Sequence, residues 1–242
     1  MIELLGVGVR RDKSTWILRN VCARLEAGDL ALVASSEPQG RRALIEAVTA
    51  RRVPDEGRVW VNHVPLLRAN ARRVRGLCGL VELPGRLVGE RSILWNALAP
   101  TGAARALGGL LRLPRRQDRN AVQAALERVG LRGRAQEPAA VLGVADRLRL
   151  LLARVLAHGP EHIVVSEPDA VLTSAELAVF MGLLGSIARV ERLGVMVSVA
   201  KATDIWRLAD RLLILDRGQL LFAGRPDDIE GARAGHVGAL TT

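Results

Sequence analysis

Apolar and polar positions along the chain change period every five to fifteen residues, and the changes predict alternating strands and helices. Residues 1–9 form a strand pattern, and residues 21–25 alternate and end at a turn on Gly28. Residues 30–34 are an unbroken apolar run, the pattern of a buried parallel strand. Residues 44–49 continue as a helix. Pro54-Asp55-Glu56-Gly57 signals a turn into an alternating strand at 58–62, and 77–81 is a further apolar strand. From about 84 to 131 the period becomes helical. Within 118–129, Val122, Ala125, Leu126 and Val129 share one stripe, closed by Gly130. An apolar helix at 146–156 stops at Gly159-Pro160. A strand at 163–165, a helix at 174–190, a strand at 195–199, a helix at 204–208 and a strand at 211–216 follow. Arg217-Gly218 then turns the chain into a last strand at 219–223. No internal repeat or low-complexity linker interrupts this order, which predicts an α/β fold with a largely parallel core sheet.

The loop after the run at 30–34 carries the most specific chemistry. A phosphate-cradling loop reads G-x-x-x-x-G-K-[ST], because glycines let backbone N–H groups close around phosphate oxygens. Here the corresponding residues run from Ser35 through Glu37, Pro38 and Gln39 to Gly40, Arg41, Arg42 and Ala43. Gly40 is the one glycine left. Arg41 and Arg42 stand where the lysine and the metal-binding hydroxyl belong. Pro38 removes an N–H from the cradle, and Glu37 places a negative charge where an anion would sit.

Composition sharpens this. The 242 residues suffice for one large domain, and 49% are apolar. No apolar run reaches the length of a membrane span, and no basic-then-apolar leader is present. Cys22 and Cys78 are expected to be reduced, which with the other features implies the cytosol. The net charge is +10, yet lysine occurs only at Lys13 and Lys201, so no lysine is placed to serve a phosphate loop. The arginine excess favours anionic neighbours. Stacking on nucleic acid is not indicated, since tyrosine is absent and Phe180 and Phe222 are the only phenylalanines.

Several segments, in order, resemble the ATPase subunit of an ATP-binding cassette (ABC) transporter. They are Ile17-Leu18-Arg19-Asn20-Val21, Gly28-Asp29-Leu30-Ala31-Leu32-Val33 and Pro54-Asp55-Glu56-Gly57-Arg58-Val59. Ala153-Arg154-Val155-Leu156-Ala157, Glu167-Pro168 and the stretch from Ala209 to Gly218 complete the series. The segment from Leu87 to Asn96 and that from Asp118 to Leu131 are similar to the ATPase subunits of phosphonate importers. The resemblance implies a P-loop NTPase core with a mainly parallel sheet and an N-terminal antiparallel β subdomain. It also implies an inserted α-helical subdomain at 84–159, with the core formed by 1–83 and 160–242. It further implies a cytoplasmic subunit at the inner face of the membrane, partnered by a membrane permease and a second cassette, the paralogue or itself.

The same resemblance locates each family motif, and most are replaced. The adenine-stacking position falls near Arg10 or Arg11, with Trp16 close by. The Q-loop glutamine aligns with Leu83, beside Glu82. The LSGGQ signature aligns with Leu142, Gly143, Val144, Ala145 and Asp146, and Asp146 would repel a phosphate. In Walker B, Ser166 replaces the Mg²⁺-binding aspartate while Glu167 keeps the place of the catalytic glutamate. The D-loop reads Val171-Leu172-Thr173, and the switch histidine aligns with Ala200. His63, His158, His162 and His236 lack metal-ligand spacing. Without lysine, Mg²⁺ ligand or amide cradle, neither a metal nor an ATP cofactor is expected, and turnover is not expected. Three readings follow: a non-catalytic structural or regulatory subunit of a transport complex; a weak ATPase using Arg41 or Arg42 with Glu167; or an anion-binding module for RNA or lipid. The last would use the pairs Arg41-Arg42, Arg51-Arg52, Arg72-Arg73 and Arg115-Arg116.

Overall fold

The computed structural model describes residues 1–99, 116–201 and 204–229. Arg115 and His236 lie outside the described residues, as do parts of the predicted 84–159 and 160–242 segments. Ten strands form two sheets. The first is antiparallel, with β1 (Ile2–Arg10) between β2 (Trp16–Leu25) and β4 (Glu56–Val61), and β5 (Val64–Pro65) beyond β4. The second runs β10 (Gln219–Gly224), β9 (Arg211–Asp216), β3 (Leu30–Ala34), β8 (Gly194–Val199), β7 (His162–Ser166), β6 (Cys78–Glu82). Its strands are parallel except β10, which turns back on β9. This is the α/β class with a mainly parallel sheet that the alternation of patterns predicts.

Helices cover both faces of the parallel sheet, so β3 and β8 are buried throughout and β7 is buried up to Ser166. One core packs α1 (Pro38–Val48) and the antiparallel sheet against Ala31, Val33, Val164 and Met196. The other face carries α6 (Ser174–Glu191) and α5 (Val144–Leu156) over Leu30, Leu32, Val165 and Val197. Alternate residues of each strand supply alternate cores, as the period-two pleat requires. Between β6 and β7 lie α3 (Ile93–Leu98), α4 (Arg116–Arg128) and α5; among the described residues this stretch contributes no strand to either sheet.

The helix after β3 begins earlier than its apolar pattern suggests, at Pro38 rather than near 44. Proline at the first helical position has its φ preset and lacks only an N–H that would be unpaired there anyway. The short helix α2 (Ala71–Leu77) has a single buried residue, Val74, and so leaves no periodic trace in the sequence. Residues 204–208 form a 3-10 turn rather than an α-helix. Helix α6 starts in a capping box: Glu176 N–H bonds Thr173 Oγ1, and Thr173 N–H bonds Glu176 Oε2 at 2.9 Å. Gly57, in β4 beside the irregularity of β1 between Leu5 and Gly8, sits at φ +75°, where a Cβ would lie 2.2 Å from the Gly6 carbonyl oxygen.

Candidate functional site

The C-terminal ends of β3, β7 and β8 bring the loop after β3, the residues after β7 and Ala200 together. Ser35 is buried and its N–H bonds the Val199 carbonyl at 3.2 Å. Glu37 follows as the residue before α1, with its N–H 3.3 Å from Ser35 Oγ. A Cβ built on Gly40 would be 3.9 Å from both Glu37 Oε2 and Ser35 Oγ, so the Glu37 carboxylate lies beside the first turn of α1, although its side chain makes no capping hydrogen bond.

Arg41 turns inward from the first turn of α1. Its side chain is 6% exposed, its Nε donates to Glu167 Oε1 at 2.9 Å, and its Nη1 donates to the Ser35 carbonyl. The guanidinium is therefore held from both sides by this chain's own oxygens. Glu167 is 35% exposed and sits at φ 49°, ψ 50°. A non-glycine residue in that region costs about 1–2 kcal/mol. Hydrogen bonds from Glu167 N–H to the Ser198 carbonyl at 3.0 Å and Ser198 Oγ at 3.3 Å hold it there. Arg42 points outward, 81% exposed, and pairs with Glu46 at 3.0 Å one turn on.

Ser166 ends β7 in register with Glu82 on one side and Ser198 on the other. Ala200 N–H donates to Asp169 Oδ2 at 2.8 Å, while Asp169 Oδ1 is buried without a partner among the described residues. Burial pushes the Asp169 carboxyl above its ordinary range, opposed by the Ala200 N–H and by the charge of Arg41. The sequence reading passed over Asp169; its signal is a second acid two residues after Glu167, where the chain turns back toward β8. Leu83 is partly buried against the core, and neighbouring Glu82 pairs with Arg51 at 3.1 Å.

The residues aligned with the signature lie at the start of α5. Leu142 is buried, Gly143 caps the helix without a side-chain bond, and Val144 is 43% exposed. Ala145 packs against the core. Asp146 takes the first turn and is gripped by Arg134 at 2.7 Å and Arg149 at 3.1 Å. A carboxylate at a helix N-terminus is favourable, and here it is the chain's own. Arg10 lies 4.1 Å over the Trp16 ring and bonds Glu56 at 2.9 Å, so the two residues near the adenine position engage each other. Among the described residues no cluster of three or more His, Cys, Asp or Glu is placed to hold a metal. No described helix is long and apolar enough to cross a membrane.

No protein-family model matches the chain. It is 27% identical over 237 residues to the phosphonates import ATP-binding protein PhnC 1 of Trichodesmium erythraeum, covering 95% of this chain and 92% of that protein. It is 29% identical over 203 residues to the aliphatic sulfonates import ATP-binding protein SsuB 1 of Nocardia farcinica, covering 84% and 73%. Among solved structures it matches cbiO1 of Clostridium perfringens, part of the ABC transporter complex cbiONQ, with TM-score 0.82 and 17% identity over 96% of this chain and 91% of that one. The homologues are thus ATP-binding subunits of ABC importers, and the fold is that of an ABC ATPase cassette.

Proposed function

We propose that this chain, a homologue of ABC importer ATP-binding subunits with the cassette fold, serves as a non-catalytic structural or regulatory subunit of an ABC-type membrane transport complex. The observation that carries this reading is the half-buried pair of Arg41 with Glu167. The residue at the phosphate-lysine position is spent on the residue at the catalytic-glutamate position, and neither is left to engage a nucleotide. Phosphoryl transfer relies on positioned cations and dipoles around the moving phosphoryl group. Here the cation is neutralised internally, Ser166 offers no carboxylate to Mg²⁺, and Asp146 occupies the N-terminus of α5. The residues present do not fit a Mg-nucleotide. A weak ATPase built on Arg42 is disfavoured by that side chain's outward course along α1. The partners would be a membrane permease and a second cassette, at the inner membrane face.

Calorimetric titration of the purified chain with Mg-ATP tests this, beside a hydrolysing cassette as control. No saturable heat and no phosphate release above the Glu167→Gln background are expected. Turnover that Glu167→Gln abolishes would overturn the reading in favour of an active ATPase.

A further inference from the structure

Among the described residues, strand β6 is the outer edge of the parallel sheet on the side of α2, and its backbone is only half used. The Glu161 carbonyl accepts from Gly194 N–H, and the Ser198 carbonyl accepts from Glu167 N–H. These bonds turn the odd residues of β7 toward β8 and its even residues toward β6. A parallel ladder alternates, so Gly79 and Val81 face β7 while Leu80 and Glu82 direct their N–H and C=O groups outward. Among the described residues Leu80 has no backbone partner on that outer side.

A cleft of about 260 Å³ runs beside this edge, with Leu80, Arg51, Arg75, Gly76 and His158 in its wall. A Cβ on Gly76 would meet nothing within 4 Å, so the wall is open there. Arg75 gives one N–H to the Ala50 carbonyl at 2.8 Å, and its Nε is buried without a partner among the described residues. Arg51 crosses the rim to Glu82 at 3.1 Å. Arg72 and Arg73 stand exposed on the same helix as Arg75. An open strand edge accepts other strands indiscriminately unless charges guard it. The guard here is mainly basic, with Glu82 as the carboxylate that an incoming acid would replace on Arg51.

We propose that the β6 edge docks an extended acidic segment of a partner protein, which adds as a strand at Leu80 and sets its carboxylates on Arg51 and Arg75. A nucleic acid could answer the arginines but has no alternating amide donors and acceptors to answer the strand edge. This site lies apart from the Arg41–Glu167 pair and does not depend on whether nucleotide binds.

The probe is a fluorescein-labelled peptide Asp-Val-Glu-Val-Asp-Val-Glu, titrated at low salt against the full chain. Its lysine-for-acid counterpart and a seven-nucleotide single-stranded RNA serve as comparisons. Saturable binding of the acidic peptide is expected, at least about ten-fold tighter than the lysine peptide. The double variant Arg51→Glu/Arg75→Glu should reverse that preference. Leu80→Pro removes the outward N–H at a position where an edge strand tolerates proline, and should weaken binding about ten-fold. In the unaltered chain, exchange of the Leu80 amide should slow on saturation with peptide. No saturable peptide binding overturns the proposal. So does RNA binding that is lost in the arginine variant but kept in Leu80→Pro, which would mean a general anion surface. Should Leu80→Pro fail to fold, the exchange measurement decides: a Leu80 amide unprotected at saturation refutes strand addition.

Discussion

Removing Glu167 should destabilise the protein more than removing Arg41, although the two form one ion pair. Arg41 is 6% exposed and cannot reach water, whereas Glu167 is 35% exposed and can. Deleting one partner of a buried pair typically costs about 3–5 kcal/mol, because the other charge is left unpaired. The Ser35 carbonyl keeps one guanidinium N–H satisfied and Glu167 is partly solvated, so Glu167→Ala should cost about 2–3 kcal/mol. Arg41→Met fills the same volume and frees Glu167 to turn to solvent, and should cost less than about 1 kcal/mol. In the double variant the unpaired charge is gone, so the coupling should be about 1–2 kcal/mol. Urea denaturation of the four proteins at pH 7 gives the cycle. In thermal melts Glu167→Ala should appear as a fall of about 4–12 °C, from roughly 2–4 °C per kcal/mol for a chain of this size. If the two changes add to within about 0.5 kcal/mol, the side chains are not energetically paired and the internal neutralisation of the site is wrong.

Three further outcomes follow from other parts of the molecule. His162 is buried, and burial, then the nearby amino-terminal charge, hold its pKa down to about 4; its Nε2 lies 3.0 Å from Asn62 Oδ1. The unfolded chain takes up this proton near its ordinary value of about 6.5 and the folded chain only near 4, so stability should fall as pH drops through that window. The loss should total about 3 kcal/mol and shrink in His162→Leu, as read from denaturation midpoints between pH 7 and 4. Gly57→Ala should cost more than about 3 kcal/mol, because a left-handed φ is combined with overlap on the Gly6 carbonyl; an unchanged melting temperature would contradict the geometry. Asp146→Ala should cost about 1 kcal/mol by removing the negative charge from the first turn of α5 and releasing Arg134 and Arg149, and Asp146→Asn about half of that, measured by chemical denaturation.

What was legible in the sequence follows from what periodicity records. Buried parallel strands such as β3 and β9 lie almost where their apolar runs place them, because both faces of the sheet are covered. Helix α2 was not legible: it is short and buries one residue, so no stripe distinguishes it from a loop. At the site, the replaced residue types were visible one by one, but their consequence was not. Arg41 and Glu167 are 126 residues apart, and only the parallel register of β3, β8 and β7 brings them within a hydrogen bond. Asp169 escaped notice for the same reason, since its role depends on the Ala200 N–H across the sheet end.

On the non-catalytic reading proposed above, the pairings at the site argue for substitution of function rather than mere loss. A phosphate loop that simply lost its lysine would leave amide groups and a catalytic carboxylate facing open space, each with unmet electrostatic demand. Here the charges are paired from within. Arg41 answers Glu167, and Asp146, held by Arg134 and Arg149, places a carboxylate in the first turn of α5, while the Glu37 carboxylate lies beside the first turn of α1 without capping it. Residues 41, 146 and 167 lie far apart in sequence, yet each is paired with a charged partner of the same chain. On the non-catalytic reading proposed above, a chain so arranged would gain little from nucleotide, because binding would first have to break interactions the folded state already possesses. Its contribution to a transport complex would then rest on surfaces that do not depend on nucleotide.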